Sequence, residues 1–267
     1  LGIAASQPVG LREQFGTMTK PFHPGGAARA GLMSALLASQ GFTASARALG
    51  APRGFIQVAS DKRDWNEITG ELGQRFEISF NTYKPFACGI VVHPSIDACV
   101  QLRDKGITPE QVQRIDLRVH SLVLELTGKK EPADGLQAKF SVYHGVAAGL
   151  MFGRAAEAEY DDAVVNRPDM VALRRKVVAT VDDAIDEASA DVTAQLMDGR
   201  RVHVFVAHAI GSLQNPMTDA LLESKFHGLS DPILGADTTS ALIAACWKLG
   251  QAPDVRALCA LAARPAA

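Results

Sequence analysis

The chain has 267 residues, a formal net charge of −2 and 47% hydrophobic residues, enough for one large domain or two smaller ones. The near-neutral charge excludes the strongly basic surface that is typical of nucleic-acid-binding proteins. No apolar run reaches the roughly 18 residues of a membrane span, and the chain does not open with a signal-peptide pattern. We therefore expect a cytoplasmic protein without a nucleic-acid or membrane partner.

The cysteines indicate a reducing compartment and no metal centre. Cys88, Cys99, Cys246 and Cys259 show no C-x-x-C spacing, which argues against a zinc site, an iron–sulfur cluster and a disulfide framework. They are predicted to be small buried residues. Common nucleotide-binding, hydrolase and metalloprotease motifs are absent too, so we expect neither a metal nor a cofactor.

The stretch TKPFHPGG (19–26) precedes an alanine-rich segment. Pro21 and Pro24 fix their own φ angles and disfavour a helical conformation at the preceding residues, Lys20 and His23. This pattern predicts a rigid turn that holds a cationic side chain at a set angle toward an anion. The alternative is a plain loop with a solvated lysine.

Helical spacing follows this turn. Apolar residues predict a helix that ends at Gly41, a shorter helix over 43–49 and another from about residue 64. The pattern then changes, because EISFNTYKPF (77–86) predicts an extended segment that ends at Pro85.

Helix and strand signals alternate over 93–153. The sequence HPSIDACVQLRDKG predicts a helix entered through Pro94 and ended by Gly106. The Thr, Pro and Gln of TPEQ (108–111) have the spacing of a helix capping box. Alternating apolar residues over 115–119 predict a half-buried strand, and helical spacing returns in KFSVYHGVAAGLMFG (139–153).

The remaining sequence predicts a helix, a hairpin and a helical end. RPDMVALRRKVVATV (167–181) predicts a helix, and alternation on both sides of Asp198-Gly199 predicts a β-hairpin with a tight primed turn. Helical spacing continues from NPMTDALLESKF (215–226) onward. The simplest arrangement is an α+β fold in which a mixed module is inserted between two helical stretches that pack together.

Lys84 and His93 form a second candidate group. Lysine again precedes proline in Tyr83-Lys84-Pro85, and His93 stands where the next helix starts. A helix N-terminus favours the neutral form of a histidine, which suits a general base or a hydrogen-bond donor. The alternative is a structural histidine that caps the turn.

A third candidate group lies in KFSVYH (139–144). Tyr143 and His144 point about 100° apart on a helix, so only one of them can face a given cleft. His144 lies among Val and Ala, so a satisfied interior histidine is the alternative. The lysines and histidines together suit a substrate with several carboxylates, with histidine or lysine moving a proton. They are Lys20, Lys84, His23, His93 and His144.

Four segments resemble the MmgE/PrpD family and occur in the family's order: GTMTKPFHPGGAARAGLMSALLASQGFT (16–43), YKPFACGIVVHPSIDA (83–98), AKFSVYHGVAAGLMFG (138–153) and NPMTDALLESKF (215–226). The resemblance implies a discontinuous, alanine-rich helical domain, 1–78 and 214–267, with an inserted smaller α/β lid domain, 79–213. It places the active site in the cleft between them and implies a homodimer. Family members act on small polycarboxylates by proton transfer next to a carboxylate, generally without a metal.

The resemblance also implies roles for individual residues. Lys20 and Lys84 match family lysines that line the site, His93 matches the histidine of a His-Pro pair, and Lys139 and Ser141 match a Lys-Phe-Ser signature. The catalytic candidates are Lys20, Lys84, His93 and His144. The substrate-binding candidates are His23, Tyr83, Lys139 and Ser141, and no metal ligand is expected.

The chain departs from the family pattern in three places. His144 stands where relatives commonly carry a tyrosine, with Tyr143 one place earlier. Gly89 and its neighbour lie in a segment that carries an active-site histidine in the decarboxylase, which argues against that activity. Nothing matches the family's preceding Asp-rich, His-bearing helical segment. We therefore expect the C-terminal part of a longer protein, with a wide exposed apolar surface.

The function implied by the resemblance is a cofactor-independent carbon–oxygen lyase of the 2-methylcitrate dehydratase type. Charge stabilisation by fixed lysines and proton transfer by a histidine would carry the reaction. Two alternatives stay open: an isomerase or epimerase of a dicarboxylate that uses the same proton abstraction, and a non-catalytic truncated paralogue that binds a partner chain or ligand. The residues distinguish neither the substrate nor the histidine that acts as base.

Overall fold

The computed structural model describes residues 1–7, 10–15 and 17–263. The chain divides into two compact units, Leu1–Phe80 and Asn81–Ala267. Twelve α-helices and one mixed four-stranded sheet in the described residues give the α+β fold that the sequence predicts. The division into a helical domain of 1–78 and 214–267 with an inserted 79–213 stays a prediction. No helix among these residues has the length and apolarity to cross a bilayer.

The first unit contains one long helix and several short elements. Its α-helices are α1 (Thr19–Ser39), α2 (Phe55–Ala59) and α3 (Asn66–Thr69). Short 3₁₀ helices cover Ala4–Ser6, Arg12–Gln14 and Glu77–Phe80.

The predicted rigid turn before α1 is wrong. The helix begins at Thr19, so Lys20 and His23 have helical backbones, while Gly16 lies outside the described residues. Pro21 is tolerated because the first helical turn leaves its N–H groups unpaired. Pro24 lies inside the helix and removes one hydrogen bond, a loss that a 21-residue helix absorbs.

Other local predictions in the first unit have mixed outcomes. The predicted end of α1 is confirmed, because Gly41 follows it with φ = 83°. Residues 43–49 form turns instead of a helix, and the Ser45 hydroxyl accepts the Arg47 N–H at 3.2 Å, a local bond that competes with helix formation. The extended segment predicted over 77–86 is a 3₁₀ turn followed by irregular chain, because no neighbouring strand supplies hydrogen-bond partners.

The second unit begins with an irregular segment, and a mixture of helices and strands follows it. Its first elements are α4 (His93–Asp104), β1 (Val112–Val119), α5 (Ser121–Thr127), α6 (Gly135–Ala138), α7 (Val142–Phe152), α8 (Asp162–Val165) and α9 (Pro168–Arg174). Three strands follow, β2 (Val177–Val181), β3 (Ala190–Leu196) and β4 (Arg201–Val206). The last helices are α10 (Asp219–Leu234), α11 (Ala236–Trp247) and α12 (Arg256–Ala262).

The sheet has the strand order β2-β1-β3-β4. Strand β1 runs parallel to β2 and antiparallel to β3, and β3 and β4 form the predicted hairpin. Ile115, Leu117 and Val119 are fully buried on one face, as the alternation predicts. A register shift between Val112 and Arg114 turns Val112 onto the same buried face.

The core lies between this sheet face and two helices. Helix α4 packs against β3, β4 and α7, and its Ile96 is fully buried. The backbones of α4 and α7 come close at Gly149, where an added Cβ would lie 2.8 Å from the Ile96 carbonyl oxygen. Gly149 therefore fixes the separation of the two helices that carry His93 and His144.

Three local predictions in the second unit need correction. TPEQ forms a capped turn without a helix: Gln111 Oε1 accepts the Thr108 N–H at 3.0 Å, and the strand starts at the next residue. The helix predicted over 167–181 ends at Arg174, because the β-branched run that follows forms β2. The hairpin turn is a three-residue loop with Gly199 at φ = 86°, since Leu196 N–H bonds the Arg200 carbonyl.

The prediction of four buried cysteines is half right. Cys88 and Cys99 are buried, whereas Cys246 and Cys259 are exposed. The exposed pair lies on α11 and α12, helices whose side chains are largely exposed.

Candidate functional site

Residues 83–89, here called the lysine loop, join the first irregular segment of the second unit to α4. Main-chain bonds hold it from several sides: Ala87 N–H donates to the Ala155 carbonyl at 2.8 Å, and Gly89 N–H to the Lys139 carbonyl at 3.3 Å. The Lys84 ammonium donates to the Cys88 carbonyl at 3.1 Å. The loop thus presents an exposed lysine on a fixed backbone.

Gly211 allows a further segment to approach this loop. Its φ of 91° lies in the left-handed region, and an added Cβ would fall 2.2 Å from the Tyr83 carbonyl oxygen. In return, the Gly211 carbonyl accepts the Tyr83 N–H at 3.3 Å. A side chain at position 211 would therefore displace the lysine loop. The Tyr83 side chain itself is 53% exposed.

His93 begins α4 as predicted and is 97% buried, with only 3% of its surface exposed. Its ring meets Phe86 edge-on at a centroid distance of 5.3 Å. Burial lowers the pKa of His93 to about 4; the positive charges of Lys84 and Lys225 lower it further, and backbone hydrogen bonds at Cys88 and Phe86 oppose the shift. The imidazole is therefore neutral at physiological pH, and its Nε2 atom has no hydrogen-bond partner among the described residues.

Ser141 and His144 define the start of α7. The Ser141 hydroxyl accepts the His144 N–H at 3.2 Å and caps the helix, which confirms the predicted helix start. The His144 ring is fully buried, with Nε2 2.9 Å from the Glu159 carbonyl oxygen. Since a carbonyl only accepts, Nε2 carries the proton and Nδ1 keeps its lone pair. Burial lowers the pKa of His144, so this imidazole is also neutral.

Two residues that sequence reasoning missed connect these histidines. Cys88 lies in the lysine loop, and burial raises the pKa of its thiol to about 11, against opposing effects of Tyr160, Lys84 and Lys139. The Tyr160 ring lies 5.2 Å from the His144 ring, and burial beside Cys88 raises the pKa of its phenol. Both groups are therefore protonated, and no spacing pattern in the sequence marks them.

Lys139 is already paired with a carboxylate. Its ammonium contacts Glu157 in a partly exposed ion pair. The neighbouring Glu159 is buried and binds Arg154 Nε at 2.9 Å and the Ala156 N–H at 2.9 Å. The short segment of Glu157 and Glu159 therefore makes two contacts: its Glu159 carbonyl binds His144, and its Glu157 carboxylate binds Lys139.

Lys20 and His23 lie in the first unit. Lys20 is exposed on the first turn of α1, with its ammonium 5.9 Å from the centre of the Phe15 ring. His23 is half-buried, and its Nδ1 would lie 3.3 Å from a Cβ added at Gly10. Within the second unit, the structure brings Lys84, Lys139 and His93 near Cys88, and it places His144 beside Tyr160.

The second unit places two ammonium groups, one of them paired with Glu157, near two neutral imidazoles. Ammonium groups stabilise carboxylates and developing negative charge, and a neutral imidazole can accept or donate a proton. Among the described residues no group of three or more His, Cys, Asp and Glu side chains is placed to hold a metal ion. The residue types fit proton transfer on an anionic substrate.

Family models match both parts of the chain. The model of the MmgE/PrpD C-terminal domain matches residues 86–249, and that of the MmgE/PrpD N-terminal domain matches residues 1–68. The chain therefore belongs to the MmgE/PrpD family.

The chain also resembles curated enzymes. It is 24% identical to cis-aconitate decarboxylase of Mus musculus over 99% of the chain and 56% of the relative. It is 25% identical to cis-aconitate decarboxylase of Aspergillus terreus over 87% of the chain and 52% of the relative. Identity to 2-methylcitrate dehydratase of Salmonella typhimurium is 28% over 51% of the chain and 30% of the relative. The chain spans about half the length of the decarboxylases it matches.

Proposed function

We propose that this chain acts in a metal-independent lyase that removes a proton next to a carboxylate of a small di- or tricarboxylate. Related members of the family are lyases, a dehydratase and decarboxylases. The observation that carries the proposal is that the Lys84 ammonium, which donates to the Cys88 carbonyl, lies near enough to the buried, neutral His93 for its charge to lower the imidazole pKa beyond the effect of burial. A cation beside a neutral base is what abstraction of a weakly acidic proton needs.

The lysines would bind the substrate and stabilise the carbanion. Removing a proton next to a carboxylate places extra negative charge on a group that is already anionic, so fixed ammonium groups lower the barrier. Lys139 would exchange its present partner, the Glu157 carboxylate, for a carboxylate of the substrate. Lys84 and Lys139 would each hold one substrate carboxylate, and Tyr83 and Ser141 lie beside them in the chain.

A histidine would move the proton. An anionic substrate beside His93 offsets the neighbouring lysine charges and raises the imidazole pKa from its value of about 4, which makes the ring a stronger base. His144 keeps its Nδ1 lone pair unpaired and is the second candidate. In a dehydration, the protonated imidazole would then give its proton to the leaving hydroxyl, so that water and an alkene are formed.

Dehydration of the 2-methylcitrate type is the specific reaction that we propose. Its support is that the lysine loop, which ends at Gly89, contains no histidine, whereas the family resemblance implies an active-site histidine in this segment of the decarboxylase. Epimerisation of a dicarboxylate by the same proton abstraction is the alternative outcome of the test below.

The test is incubation of the protein with 2-methylcitrate, cis-aconitate and simple dicarboxylates in heavy water, followed by NMR. Loss of water from 2-methylcitrate is the expected result. Exchange of the proton next to the carboxylate without net product would favour the epimerase. No exchange with any of these compounds would contradict the proposal and favour a non-catalytic role.

Matched lysine variants test the site. Lys84→Met and Lys139→Met should each reduce turnover by about a hundredfold, the effect of losing one charge-stabilising donor. Lys20→Met tests whether the first unit contributes in the same way. Lys105→Met, an exposed lysine after α4, is the control and should leave turnover unchanged. Unchanged kinetics in all the site variants would refute the site assignment.

We further propose that the protein is a homodimer. The support is the large number of exposed apolar side chains on its helices, including Phe22, Leu32 and Trp247, which are typical of surfaces that pack against other chains. Sedimentation velocity measures the state directly, and a monomer at micromolar concentration would contradict the proposal.

A further inference from the structure

Lys225, on α10, makes a contact that the proposed reaction does not yet use. Its ammonium donates to the Lys84 carbonyl oxygen at 2.6 Å, across 141 residues of sequence. A hydrogen bond from a charged donor is stronger than one between neutral groups. The contact therefore joins α10 directly to the backbone of Lys84, the exposed lysine of the site.

The helix itself is built to hold Lys225 in place. The Thr218 hydroxyl accepts the Leu221 N–H at 3.3 Å and caps the first turn of α10. Lys225 lies on the second turn and is half-buried, so its stem is packed while its ammonium reaches the loop. The sequence segment NPMTDALLESKF thus contains both the helix cap and the lysine.

Two carbonyl groups of the lysine loop each accept a hydrogen bond from a lysine ammonium. Lys225 binds the Lys84 carbonyl, and the Lys84 ammonium binds the Cys88 carbonyl. Pro85 follows Lys84 and has no N–H to donate, so part of this loop cannot be held by its own main chain. The side chain of Lys225 supplies an anchor at that point.

The same ammonium acts on His93. Burial has the largest effect in lowering the pKa of this imidazole, and the charges of Lys84 and Lys225 lower it further, whereas backbone hydrogen bonds at Cys88 and Phe86 raise it. Lys225 therefore touches the loop by a hydrogen bond and reaches the buried histidine by its charge. The hydrogen bond to the Lys84 carbonyl is the geometric observation, and the effect on His93 follows from where that bond places the ammonium.

We infer that Lys225 is a positioning residue of the site, which fixes the lysine loop and thereby orients the Lys84 ammonium relative to the His93 imidazole. Any effect of Lys225 on catalysis rests on the proposed function, because Lys225 contacts a main-chain carbonyl and not a reacting group. It assigns the NPMTDALLESKF segment a role in the site.

The test compares Lys225→Met, Lys225→Arg and the control Lys248→Met, which alters an exposed lysine at the end of α11. Amide hydrogen exchange at Ala87 and Gly89 reports the loop directly, since both N–H groups are bonded in the anchored state. Lys225→Met should speed their exchange by about tenfold or more, as expected when a charged anchor is lost. Lys225→Arg should restore much of the protection, and Lys248→Met should match the parent protein.

Three further readouts separate positioning from simple stability. The His93 imidazole, followed by NMR, should titrate at higher pH in Lys225→Met, because a nearby cation has been removed. Turnover should fall by about tenfold with little change in KM, as expected for lost orientation. Global unfolding should change far less than the local exchange at Ala87 and Gly89.

The outcomes distinguish this inference from the proposed function. Parent-like exchange at Ala87 and Gly89 together with parent-like His93 titration in Lys225→Met would overturn the inference, whatever the activity. Changed exchange and titration in a protein that converts none of the tested carboxylates would leave Lys225 as the anchor of the loop and refute the proposed function.

Discussion

The mixed module of 86–209 and the helical segments on either side of it differ in what their apolar residues contact. In the module, Ile96, Leu117 and Leu150 are among many fully buried side chains. Among the described residues 1–80, no large hydrophobic side chain is buried, and Phe22, Leu32 and Trp65 are about half or more exposed. The same kinds of residue therefore form a core in one region and a surface in the other.

This difference teaches that helical periodicity and burial are separate pieces of information. The pattern of α1 predicts its helix correctly, because spacing of 3.6 residues reports local backbone preference. The spacing does not indicate which other part of a protein packs against the apolar face of the helix. In the module, the covering surface is in the chain itself, where the sheet and α4 and α7 pack together.

The largest effect that tests this comparison is a large-to-small substitution in each region. Ile96→Ala should lower the free energy of unfolding by about 2–5 kcal/mol, because it removes a fully buried side chain. Leu32→Ala should change it by no more than about 0.5 kcal/mol, because Leu32 is 66% exposed. Guanidinium denaturation followed by circular dichroism gives both values. Equal losses would show that α1 is as well packed as the module.

A second prediction concerns the pH dependence of stability that the buried His93 of the module causes. Folding lowers the pKa of His93 from 6.5 to about 4, so the unfolded chain takes up the proton first as pH falls. The stability that the neutral His93 contributes to the folded state is fully present above pH 6.5 and is lost as pH falls toward 4. The loss amounts to about 3 kcal/mol. Burial shifts the pKa of His144 in the same direction.

The measurement is the free energy of unfolding between pH 4 and pH 8 in His93→Gln and in a control, His208→Gln, which alters an exposed histidine. The first variant should show a flatter pH dependence than the control. An identical slope in both would mean that His93 is as accessible to protons in the folded state as in the unfolded state.

The third prediction compares the same change, glycine to alanine, at one position in each region, and it expects opposite effects on stability. Gly149→Ala places a Cβ 2.8 Å from the Ile96 carbonyl oxygen and should destabilise the protein by about 1–3 kcal/mol. Gly31→Ala, inside α1, meets no atom within 4 Å and should stabilise it by about 0.5–1 kcal/mol through helix propensity. Thermal unfolding monitored at 222 nm shows the sign. Stabilisation by both changes would indicate that α4 and α7 are free to move apart.

The smallest effect concerns the surface of the module. Arg175 donates to both oxygens of Glu131, at 3.0 and 3.2 Å, but both side chains are more than 60% exposed. Solvent screens such a pair, so Arg175→Ala should leave the unfolding midpoint nearly unchanged. A clear loss would show that burial alone does not explain the contrast between regions.

Much of the fold was predictable because it depends on local signals. Pro94 and Gly106 bound α4, the alternation of 115–119 marks β1, and Ser141 caps α7. The failures have tertiary causes: VVATV became a strand because β1 offers it a parallel partner, and TPEQ stayed a turn because β1 begins directly after it.

The candidate site was predictable only in part, for the same reason. Lys84 and His93 stand at a proline and at a helix start, which are visible in the sequence. Cys88, Tyr160 and Lys225 gain their meaning from contacts between distant segments, such as the bond across 141 residues that joins Lys225 to Lys84. No periodicity or spacing encodes such contacts.

The strand order also has a kinetic consequence. The β3–β4 hairpin closes over a three-residue loop and can form on the microsecond timescale. Strand β1 pairs in parallel with β2 only after the intervening segment with α5 to α9 has been brought into place, and closing a long loop costs entropy before the pairing stabilises it. We expect the pairing of β1 with β2 to be the slow step in folding, even though the alternation of β1 is among the clearest signals in the sequence.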